Sequence, residues 1–402
     1  MAERNEVLTD LEEGIWLDHC RLSADDGPKL AGSSHWLVDK RTLRGGASDG
    51  VDLVRLNNGA LSLELVPTRG LGLWRGDYHG IPLGWNSPVR YPVHPSFVNT
   101  VDLQGLGWLT GFNEWMCRCG LSSLGSPGLD VVENDDGSRS ETPVTLHGRI
   151  ANTPCHHVSV GVDDVGPGTL WVRGVADEAW LFGPKLRLVS TISTAAGSNA
   201  LTICDKVTNV GNEPGELQLM YHTNLGPPLL EQGSRLVAAA REVAPYDSHS
   251  ANAIENWTTF NAPSPGFVQQ CYFIEPLADE SGAVTVMLCN QAEDKGLGLS
   301  FNNRELPCFT LWKNMQGEAD GYVTGLEPGT SFPNLKSFER NQGRVISLPP
   351  GESYRTSLRI EVYDTAAQVS TTSQKIMQQA TAPPTLHHEL HPRFAPPAEP
   401  QP

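Results

Sequence analysis

Short stretches in which apolar and polar residues alternate recur along the chain and predict β-strands. After Leu61 the leucines at 61, 63 and 65 point one way, while Ser62 and Glu64 point the other, until Pro67 ends the pattern. Gly, Pro, Asn or Asp residues bound each further stretch of this kind. These stretches predict strands at 169–175, 185–192, 201–208, 217–222, 284–289, 309–312, 322–326 and 354–363.

Few helical patterns separate the predicted strands. Without crossover helices a parallel sheet is unfavourable, so we expect antiparallel pairing, with the apolar faces buried between two stacked sheets. The 40 glycines and 30 prolines suit a fold with many turns. The sequence therefore predicts a mainly β fold, one large antiparallel β-sandwich with few short helices.

Changes in character along the chain predict three segments. Residues 1–56 form an N-terminal extension that packs on the sandwich, with a short helix beginning near Thr9. Residues 57–364 form the β-sandwich domain. Residues 365–402 begin with a short helix near 366–379 and continue as a proline- and histidine-rich tail, which we expect to be disordered. We expect no specific metal site in this tail.

The formal net charge of −17 opposes binding to phosphate backbones and to anionic membrane surfaces, and no basic run offsets it. We therefore expect no nucleic acid and no membrane partner. The N-terminus lacks a signal-peptide pattern, and no apolar run reaches the roughly 18–20 residues of a membrane span. We expect a cytoplasmic protein. The sequence is compatible with a homo-oligomer but does not define the oligomeric state.

The 8 cysteines include no CxxC pair and do not resemble a disulfide framework, so free thiols are expected. Cys117 and Cys119 point to the same side of one strand, where packing is more typical than metal ligation. We predict no metal site. The acidic run at 133–136 lies beside Gly137 and Ser138, which indicates a surface turn rather than a pair of glycosidase carboxylates.

Three ionisable residues near strand ends are candidates for acid–base chemistry. His222 comes near the end of an apolar strand pattern, just before Gly226, and its ordinary pKa lies near neutrality. His147 precedes a glycine, and Glu327 closes another strand before a Pro-Gly turn. Taken singly, each histidine is more typical of a hydrogen-bonded scaffold residue, and the glutamate of a solvated turn residue. If the three side chains meet in one cleft, they could donate one proton to a bound ligand and remove another from it.

Several other side chains could bind a hydroxyl-rich ligand. Motifs for serine hydrolases, P-loop proteins, zinc proteases and dinucleotide binding are not found in the sequence. Aromatic rings could lie against sugar C–H groups, although most tryptophans are expected in the core. The candidate substrate-binding residues are Arg69, Asn113, Arg149, Asn224, Trp312 and Lys313, with Trp108 and Trp115 as further possible ring faces.

From about residue 57 to 364 the chain resembles the aldose 1-epimerase (galactose mutarotase-like) family, in particular a divergent branch. The resemblance rests on short motifs and on their order: PTRGL at 67–71, GIPLGW at 80–85, CGL at 119–121 followed by Gly125, LHGRI at 146–150, YHTNL at 221–225 and GLEP at 325–328. It implies a single β-supersandwich that binds a sugar on one face.

The resemblance also implies roles for individual residues. His222 would be the general acid toward the ring oxygen, Glu327 would remove the proton from the anomeric hydroxyl, and His147 would hydrogen-bond the sugar and assist at the ring oxygen. No cofactor is required, because opening a cyclic hemiacetal needs only these two proton transfers. We expect His222 and Glu327 to face one pocket about one sugar ring apart.

The family's first sugar-binding arginine has no clear match, so its role could fall to Arg69 or to Arg149. The WKNM segment at 312–315 resembles the divergent branch and implies Lys313 as a ligand, which would favour a different or more oxidised sugar. The main hypothesis is an isomerase that interconverts the anomers of a free sugar. The alternatives are a non-catalytic carbohydrate-binding protein, or a lyase or hydrolase acting on a sugar derivative.

Overall fold

The computed structural model of the protein describes residues 3–133 and 137–397. Most of these residues lie in strands or in the turns between them. The strands are β1 (Glu3–Asp10), β2 (Ile15–Trp16), β3 (His19–Ser23), β4 (Leu37–Thr42), β5 (Asp52–Asn57), β6 (Leu61–Val66), β7 (Gly72–Tyr78), β8 (Ile81–Leu83), β9 (Met116–Leu121), β10 (Gly128–Glu133), β11 (Arg139–Val144), β12 (His157–Asp163), β13 (Thr169–Ala179), β14 (Lys185–Ala195), β15 (Ala200–Asn209), β16 (Gly215–Leu225), β17 (Arg235–Ala238), β18 (Ala240–Pro245), β19 (Gln270–Pro276), β20 (Ala283–Cys289), β21 (Gly296–Asn302), β22 (Cys308–Asn314), β23 (Val323–Gly329), β24 (Ile346–Leu348), β25 (Ser353–Tyr363) and β26 (Thr385–Leu386).

The helices are short and lie between or after the strands. They are α1 (Asp102–Gly105), α2 (Ser248–Ala251), α3 (Lys336–Asn341) and α4 (Ala366–Met377), with single turns of 3-10 helix elsewhere. The first is one turn in which Leu103 and Gln104 have positive φ angles. The fold is therefore mainly β with few short helices, as the alternation predicts.

Two large sheets account for most strands. One has ten strands in the order β17-β20-β21-β25-β15-β14-β13-β12-β1-β2. The other has fourteen, in the order β26-β18-β19-β22-β23-β16-β9-β7-β6-β5-β4-β3, with β24 and β8 joined beside β16 and β7. Apart from the parallel β18–β26 pair, the registered ladders within these sheets are antiparallel. The expected antiparallel sandwich is confirmed.

The main hydrophobic core lies between the two sheets, and β16 shows how the sequence builds it. Leu217, Leu219 and Tyr221 belong to this core, whereas Met220 between them belongs to a separate cluster with Trp108. Successive side chains of a strand point to opposite faces. We call the face of the fourteen-stranded sheet that points away from the main core the outer face, and the candidate site lies there.

The N-terminal segment is part of both sheets. Strand β1 pairs with β12 in the ten-stranded sheet, while β3 and β4 extend the fourteen-stranded sheet next to β5. The helix expected near Thr9 is wrong, because this residue lies in β1. The Asp10 carboxylate instead accepts the backbone N–H groups of Glu12 and Glu13 and closes a turn.

The C-terminal segment differs from the expected disordered tail. The predicted helix is present as α4, and beyond it β26 pairs with β18. Phe394 is buried against Phe273 and Phe332, and the Asn334 side chain donates a hydrogen bond to its carbonyl oxygen. The burial of apolar side chains therefore fixes this segment to the sandwich, although its composition is typical of a disordered tail. Residues 398–402 lie outside the described part of the chain.

The cysteines are free thiols, as their spacing predicts. Of the acidic run at 133–136, residues 134–136 lie outside the described residues. Within the described ranges, no helix has both the length and the apolar character that a bilayer crossing would require.

Candidate active site

The candidate site lies on the outer face of the fourteen-stranded sheet, where β16, β23 and β22 run side by side. Leu326 of β23 pairs with Thr223 of β16, and Glu327 pairs with Thr310 of β22. Leu326 belongs to the main core, so the side chain of the next residue, Glu327, points to the outer face. On β16, His222 points the same way.

A cavity of about 290 Å³ opens over these strands. Its lining includes all three residues that the sequence singled out for chemistry, His147, His222 and Glu327. Aromatic rings enclose the His222 imidazole: the ring centroids of Phe112 and Trp312 lie 5.2 and 5.6 Å away. The structure thus brings residues from three distant parts of the chain into one apolar pocket.

His222 and Glu327 contact each other directly. Nε2 of His222 lies 3.1 Å from Oε1 of Glu327, and the two side chains are 5% and 2% exposed. The expectation of one sugar ring between them is wrong, because no ligand atom fits in a gap of this length. The angles of this contact do not meet those of a hydrogen bond, and both His222 Nδ1 and Glu327 Oε1 lack such a partner within the protein.

Burial shifts both groups of this pair toward their neutral forms. Burial raises the pKa of the Glu327 carboxyl well above its usual value. Burial, with a smaller contribution from the neighbouring His147, lowers the pKa of His222 well below neutrality. One proton shared between two contacting groups belongs to the pair rather than to either residue. The pair is therefore equipped to give a proton and take one with little change in net charge.

His147 is held as a neutral hydrogen-bond acceptor. Its Nδ1 lies 2.9 Å from the Leu124 carbonyl oxygen, which can only accept, so Nδ1 carries the proton and Nε2 is left with a lone pair. Burial lowers the pKa of His147 to about 4, so the ring is uncharged at neutral pH. Its centroid lies 5.4 Å from that of His222. A ligand hydroxyl can donate to this nitrogen.

The backbone at His147 has a positive φ of 58°. This uncommon conformation for a non-glycine residue is held by three backbone hydrogen bonds nearby, which join Leu146 to Gly105, His147 to Gly125 and Gly120 to His147. The loop at 145–148 therefore presents the imidazole to the cavity from a fixed position.

The Trp312 ring lines the cavity, and its indole N–H donates to the Gln269 side chain. The adjacent Lys313 points to the opposite face of β22, where its ammonium donates to the carbonyl oxygens of Asn256 and Thr259. Burial lowers the pKa of Lys313 to about 8. The structure therefore does not bring Lys313 to the cavity, and the implied lysine ligand is not found there.

Neither candidate arginine lines the cavity. Arg69 is fully buried in an ion pair with Glu114, 2.6 Å away, and also donates to Asn152. Arg149 is exposed, with its guanidinium 4.6 Å from the centroid of the Trp180 ring. Arg69 is thus part of the buried scaffold, and Arg149 lies on the surface away from the cavity lining.

The two candidate asparagines also lie outside the cavity lining. The Asn113 amide donates to the carbonyl oxygens of Val89 and Tyr91. Asn224 donates to the carbonyl oxygens of Glu114 and His222, and its side chain slightly favours the charged form of His222, which opposes the lowering of that pKa. Asn224 thus acts on the histidine from the same strand, two residues away.

Sequence reasoning missed several residues that shape the site. Phe112 packs against His222, and Cys271 and Asp247 line the cavity. Gly325 leaves the space that the Glu327 carboxylate occupies, since a methyl group there would overlap Oε1 of Glu327. For Phe112, Asp247 and Cys271 only the tertiary structure brings the positions to the cavity, so no local sequence signal marks them, whereas Gly325 lies in the GLEP motif two residues before Glu327.

The fold and the cavity define a galactose mutarotase-like β-sandwich protein. Residues 48–362 match the family described as "Domain of unknown function (DUF4432)", and the chain belongs to this family. A structure from Klebsiella pneumoniae subsp. pneumoniae MGH 78578, described as "a putative aldose 1-epimerase", is 34% identical with a TM-score of 0.88, over 96% of this chain and 98% of that one.

More distant structures share the fold. A galactose mutarotase-like protein from Clostridium acetobutylicum is 14% identical with a TM-score of 0.55, over 82% of this chain and 98% of that one. Galactose 1-epimerase from Lactobacillus acidophilus NCFM is 12% identical with a TM-score of 0.54, over 82% and 99%. No curated protein sequence matches the chain. The resemblance to this fold family is confirmed, and membership of a divergent branch agrees with these values.

Proposed function

We propose that the protein is an isomerase of the aldose 1-epimerase type, which interconverts the anomers of a free sugar. The observation that carries the proposal is the buried His222–Glu327 contact on the floor of an aromatic cavity. A site that only binds a sugar needs hydrogen-bonding groups but gains nothing from an acid and a base placed in contact.

The short distance between the two groups fits the chemistry of ring opening. Opening a cyclic hemiacetal removes the proton of O1 and delivers one to the ring oxygen, and both oxygens are bonded to C1. The acid and the base therefore have to reach two oxygens on the same carbon, not opposite ends of the sugar. A carboxylate and an imidazole 3.1 Å apart can do so from one side of the ring.

In the proposed cycle, Glu327 takes the proton of O1 while His222 gives its proton to the ring oxygen. This step starts from the ionised pair, which forms when the Glu327 proton crosses to His222 Nε2. Opening leaves Glu327 protonated and His222 neutral; after rotation about C1–C2, reclosure reverses both transfers and restores the pair. No electrons are transferred and no cofactor is consumed.

His147 contributes binding in this scheme. Its free Nε2 accepts a hydrogen bond from a sugar hydroxyl and fixes the ring against the pair. Because the pKa of His147 is lowered to about 4, it does not serve as a proton donor at neutral pH. Loss of this side chain should therefore raise KM more than it lowers kcat.

The test is to follow the optical rotation, or the NMR anomer ratio, of freshly dissolved D-galactose, D-glucose and less common aldoses. The wild-type protein should accelerate relaxation of at least one sugar above the uncatalysed rate. Glu327→Gln and His222→Ala should each lower kcat by roughly 10²-fold or more, because each removes one proton transfer.

Two surface variants serve as matched controls. Glu318 and His249 are exposed and lie outside the cavity lining, so Glu318→Gln and His249→Ala should keep the wild-type rate. A sugar that binds without faster anomer relaxation would overturn the proposal in favour of a binding protein. New products from a sugar derivative would favour a lyase or hydrolase.

A further inference from the structure

The cavity contains no basic side chain of the kind that binds anions. Among the described residues that line it, none is a lysine or an arginine. The cations next to lining residues in the sequence have other partners: Lys313, beside Trp312, donates to two carbonyl oxygens behind the sheet, and the Arg149 guanidinium, two residues after His147, lies over the Trp180 ring. Carboxylate and phosphate groups are usually bound by such cations, often through paired hydrogen bonds.

The ionisable groups that do line the cavity disfavour a negative charge. Asp247 is acidic, and burial shifts His147, His222 and Glu327 toward their neutral forms, because it lowers the pKa of both histidines and raises that of the glutamate. An anionic sugar would lose its hydration without gaining a counter-charge. The site is therefore built for an uncharged ligand.

Some of the polar atoms around the cavity walls are already bonded within the protein. The Trp312 indole N–H donates to Gln269, the Ser126 hydroxyl donates to the Pro333 carbonyl oxygen, and Asp247 accepts the Ser250 backbone N–H. Groups for ligand hydroxyls remain at the reacting end, in His147, His222 and Glu327, and on the side of Asp247 and Gln269, where the second Asp247 oxygen and the Gln269 amide N–H groups are not used by these bonds. The buried indole N–H of Trp108 also lacks a partner.

The part of the wall formed by residues 106–112 is apolar and reaches the mouth of the cavity. Trp108 and Phe112 form one side, and Leu106 and Leu109 form the rim with 37% and 44% of their surface exposed. Exposed leucines at a site mouth offer contact to carbon atoms but no partner to a hydroxyl. A hydroxyl placed against them would lose its hydrogen bonds to water.

From these contacts we infer that the substrate is an uncharged aldose that presents an apolar face to this wall, a deoxyaldose rather than a uronate or a sugar phosphate. The inference rests on the proposed function, because it takes the reacting end of the sugar to lie at His222 and Glu327. It replaces the more oxidised sugar that a Lys313 ligand would favour.

The experiment compares sugars that differ at one substituent. D-Galactose, its 2-, 3-, 4- and 6-deoxy derivatives and D-galacturonate form one series, and the corresponding glucose compounds form a second. The measured quantity is kcat/KM for anomer relaxation. At least one deoxy sugar should exceed its parent by about tenfold, and each uronate should fall at least tenfold below its parent. A parent sugar preferred over all of its deoxy derivatives, or a preferred uronate, overturns the inference.

Two leucine variants test whether a positive charge at the cavity rim changes the preference between anionic and neutral sugars. Leu109→Arg introduces a cation at the cavity rim and should raise kcat/KM for the uronates relative to the neutral sugars by severalfold. Leu181 is 79% exposed and does not line the cavity, so Leu181→Arg should leave this ratio unchanged. If Leu109→Arg also leaves the ratio unchanged, the rim does not contact the sugar and the inference fails.

The same data distinguish this inference from the proposed function. Relaxation that depends on Glu327 but favours the parent sugars or the uronates overturns only the substrate class. If wild type and Glu327→Gln give the same uncatalysed rates for every sugar, the proposed function fails, and the inference fails with it.

Discussion

Glu327 Oε1 and His222 Nε2 lie 3.1 Å apart on neighbouring strands, with both side chains almost completely buried. Burying a carboxyl and an imidazole in an apolar pocket costs stability unless their charges are fully compensated. The aromatic side chains around the pair exclude water but supply no hydrogen bonds to Glu327 Oε1 or His222 Nδ1. Such a pair is expected where a ligand completes the bonding.

The first prediction concerns the stability cost of Glu327. Burial raises its pKa well above that of the unfolded chain, so between these two values the native state holds a proton that the unfolded state has lost. Stability from this group is present at low pH and is lost as pH rises above about 4.5. Glu327→Gln should therefore be more stable than wild type at pH 7, while it loses catalysis.

Urea unfolding of both proteins at several pH values from 4.5 to 8 measures this difference, which should grow with pH. The isosteric amide keeps the size of the side chain, so packing changes little. A variant that is less stable than wild type at pH 7 would show instead that Glu327 forms a net stabilising ion pair with His222.

The second prediction concerns Gly325, which lies two residues before Glu327 on the same strand face. A methyl group at this position would overlap Glu327 Oε1 and lie 3.1 Å from His222 Cε1. Gly325→Ala should displace the carboxylate and lower kcat by at least tenfold, since catalytic geometry tolerates only small shifts. The fold should be retained, as judged by circular dichroism.

Gly317→Ala is the matched control, because the nearest atom to its added methyl is 3.3 Å away and belongs to an exposed aspartate side chain. It should keep the wild-type kcat. Equal rates for Gly325→Ala and wild type would mean that the pair can move without loss of activity.

The third prediction concerns the buried ammonium of Lys313. Its pKa of about 8 in the folded protein lies below the ordinary 10.5, so between these values the unfolded chain binds the extra proton. The free energy of unfolding should therefore rise with pH from about 8 to 10.5, by up to roughly 3 kcal/mol.

Lys313→Met removes this titration while keeping the length of the side chain. The difference in unfolding free energy between wild type and variant, measured across this pH range, isolates the lysine from other groups that titrate there. A difference that does not change with pH would show that Lys313 keeps its ordinary pKa in the folded protein.

The fourth prediction concerns the C-terminal segment. Phe394 is 2% exposed and packs with Phe273 and Phe332, so Phe394→Ala should lower the free energy of unfolding by about 3–5 kcal/mol. Phe182 is 96% exposed, and Phe182→Ala should change it by less than about 0.5 kcal/mol. Thermal or urea unfolding compares the two variants. If Phe394→Ala and Phe182→Ala have equal free energies of unfolding, Phe394 does not pack in the folded protein, and the segment is disordered as its composition predicts.

Much of the strand framework was predictable because alternation is a local property. Strands β13, β14, β15 and β25 appear where the pattern places them, since each buries one face against the other sheet. The helix expected near Thr9 failed because a capping pattern is also local, whereas the pairing of β1 with β12 depends on residues some 150 positions away.

The chemistry of the site divides in the same way. Residue chemistry near predicted strand ends, together with the family motifs, selected His147, His222 and Glu327, and the structure places all three at one cavity. The sequence could not give their spacing, nor could it separate Trp312, which faces the cavity, from Lys313, which faces the opposite side of the same strand.

By itself the sequence determined a mainly β sandwich of acidic net charge and singled out two histidines and a glutamate; it placed them near strand ends, whereas His222 and Glu327 lie inside β16 and β23 and His147 lies in a loop. Only the tertiary structure decided which of the polar candidates line the cavity. Every strand residue points to one of two faces, and which face becomes a site depends on what the rest of the chain packs against the other. Arg69, Asn113, Arg149 and Lys313 were drawn into the scaffold because a buried or stacked cation or amide needs partners, and the fold supplied them there.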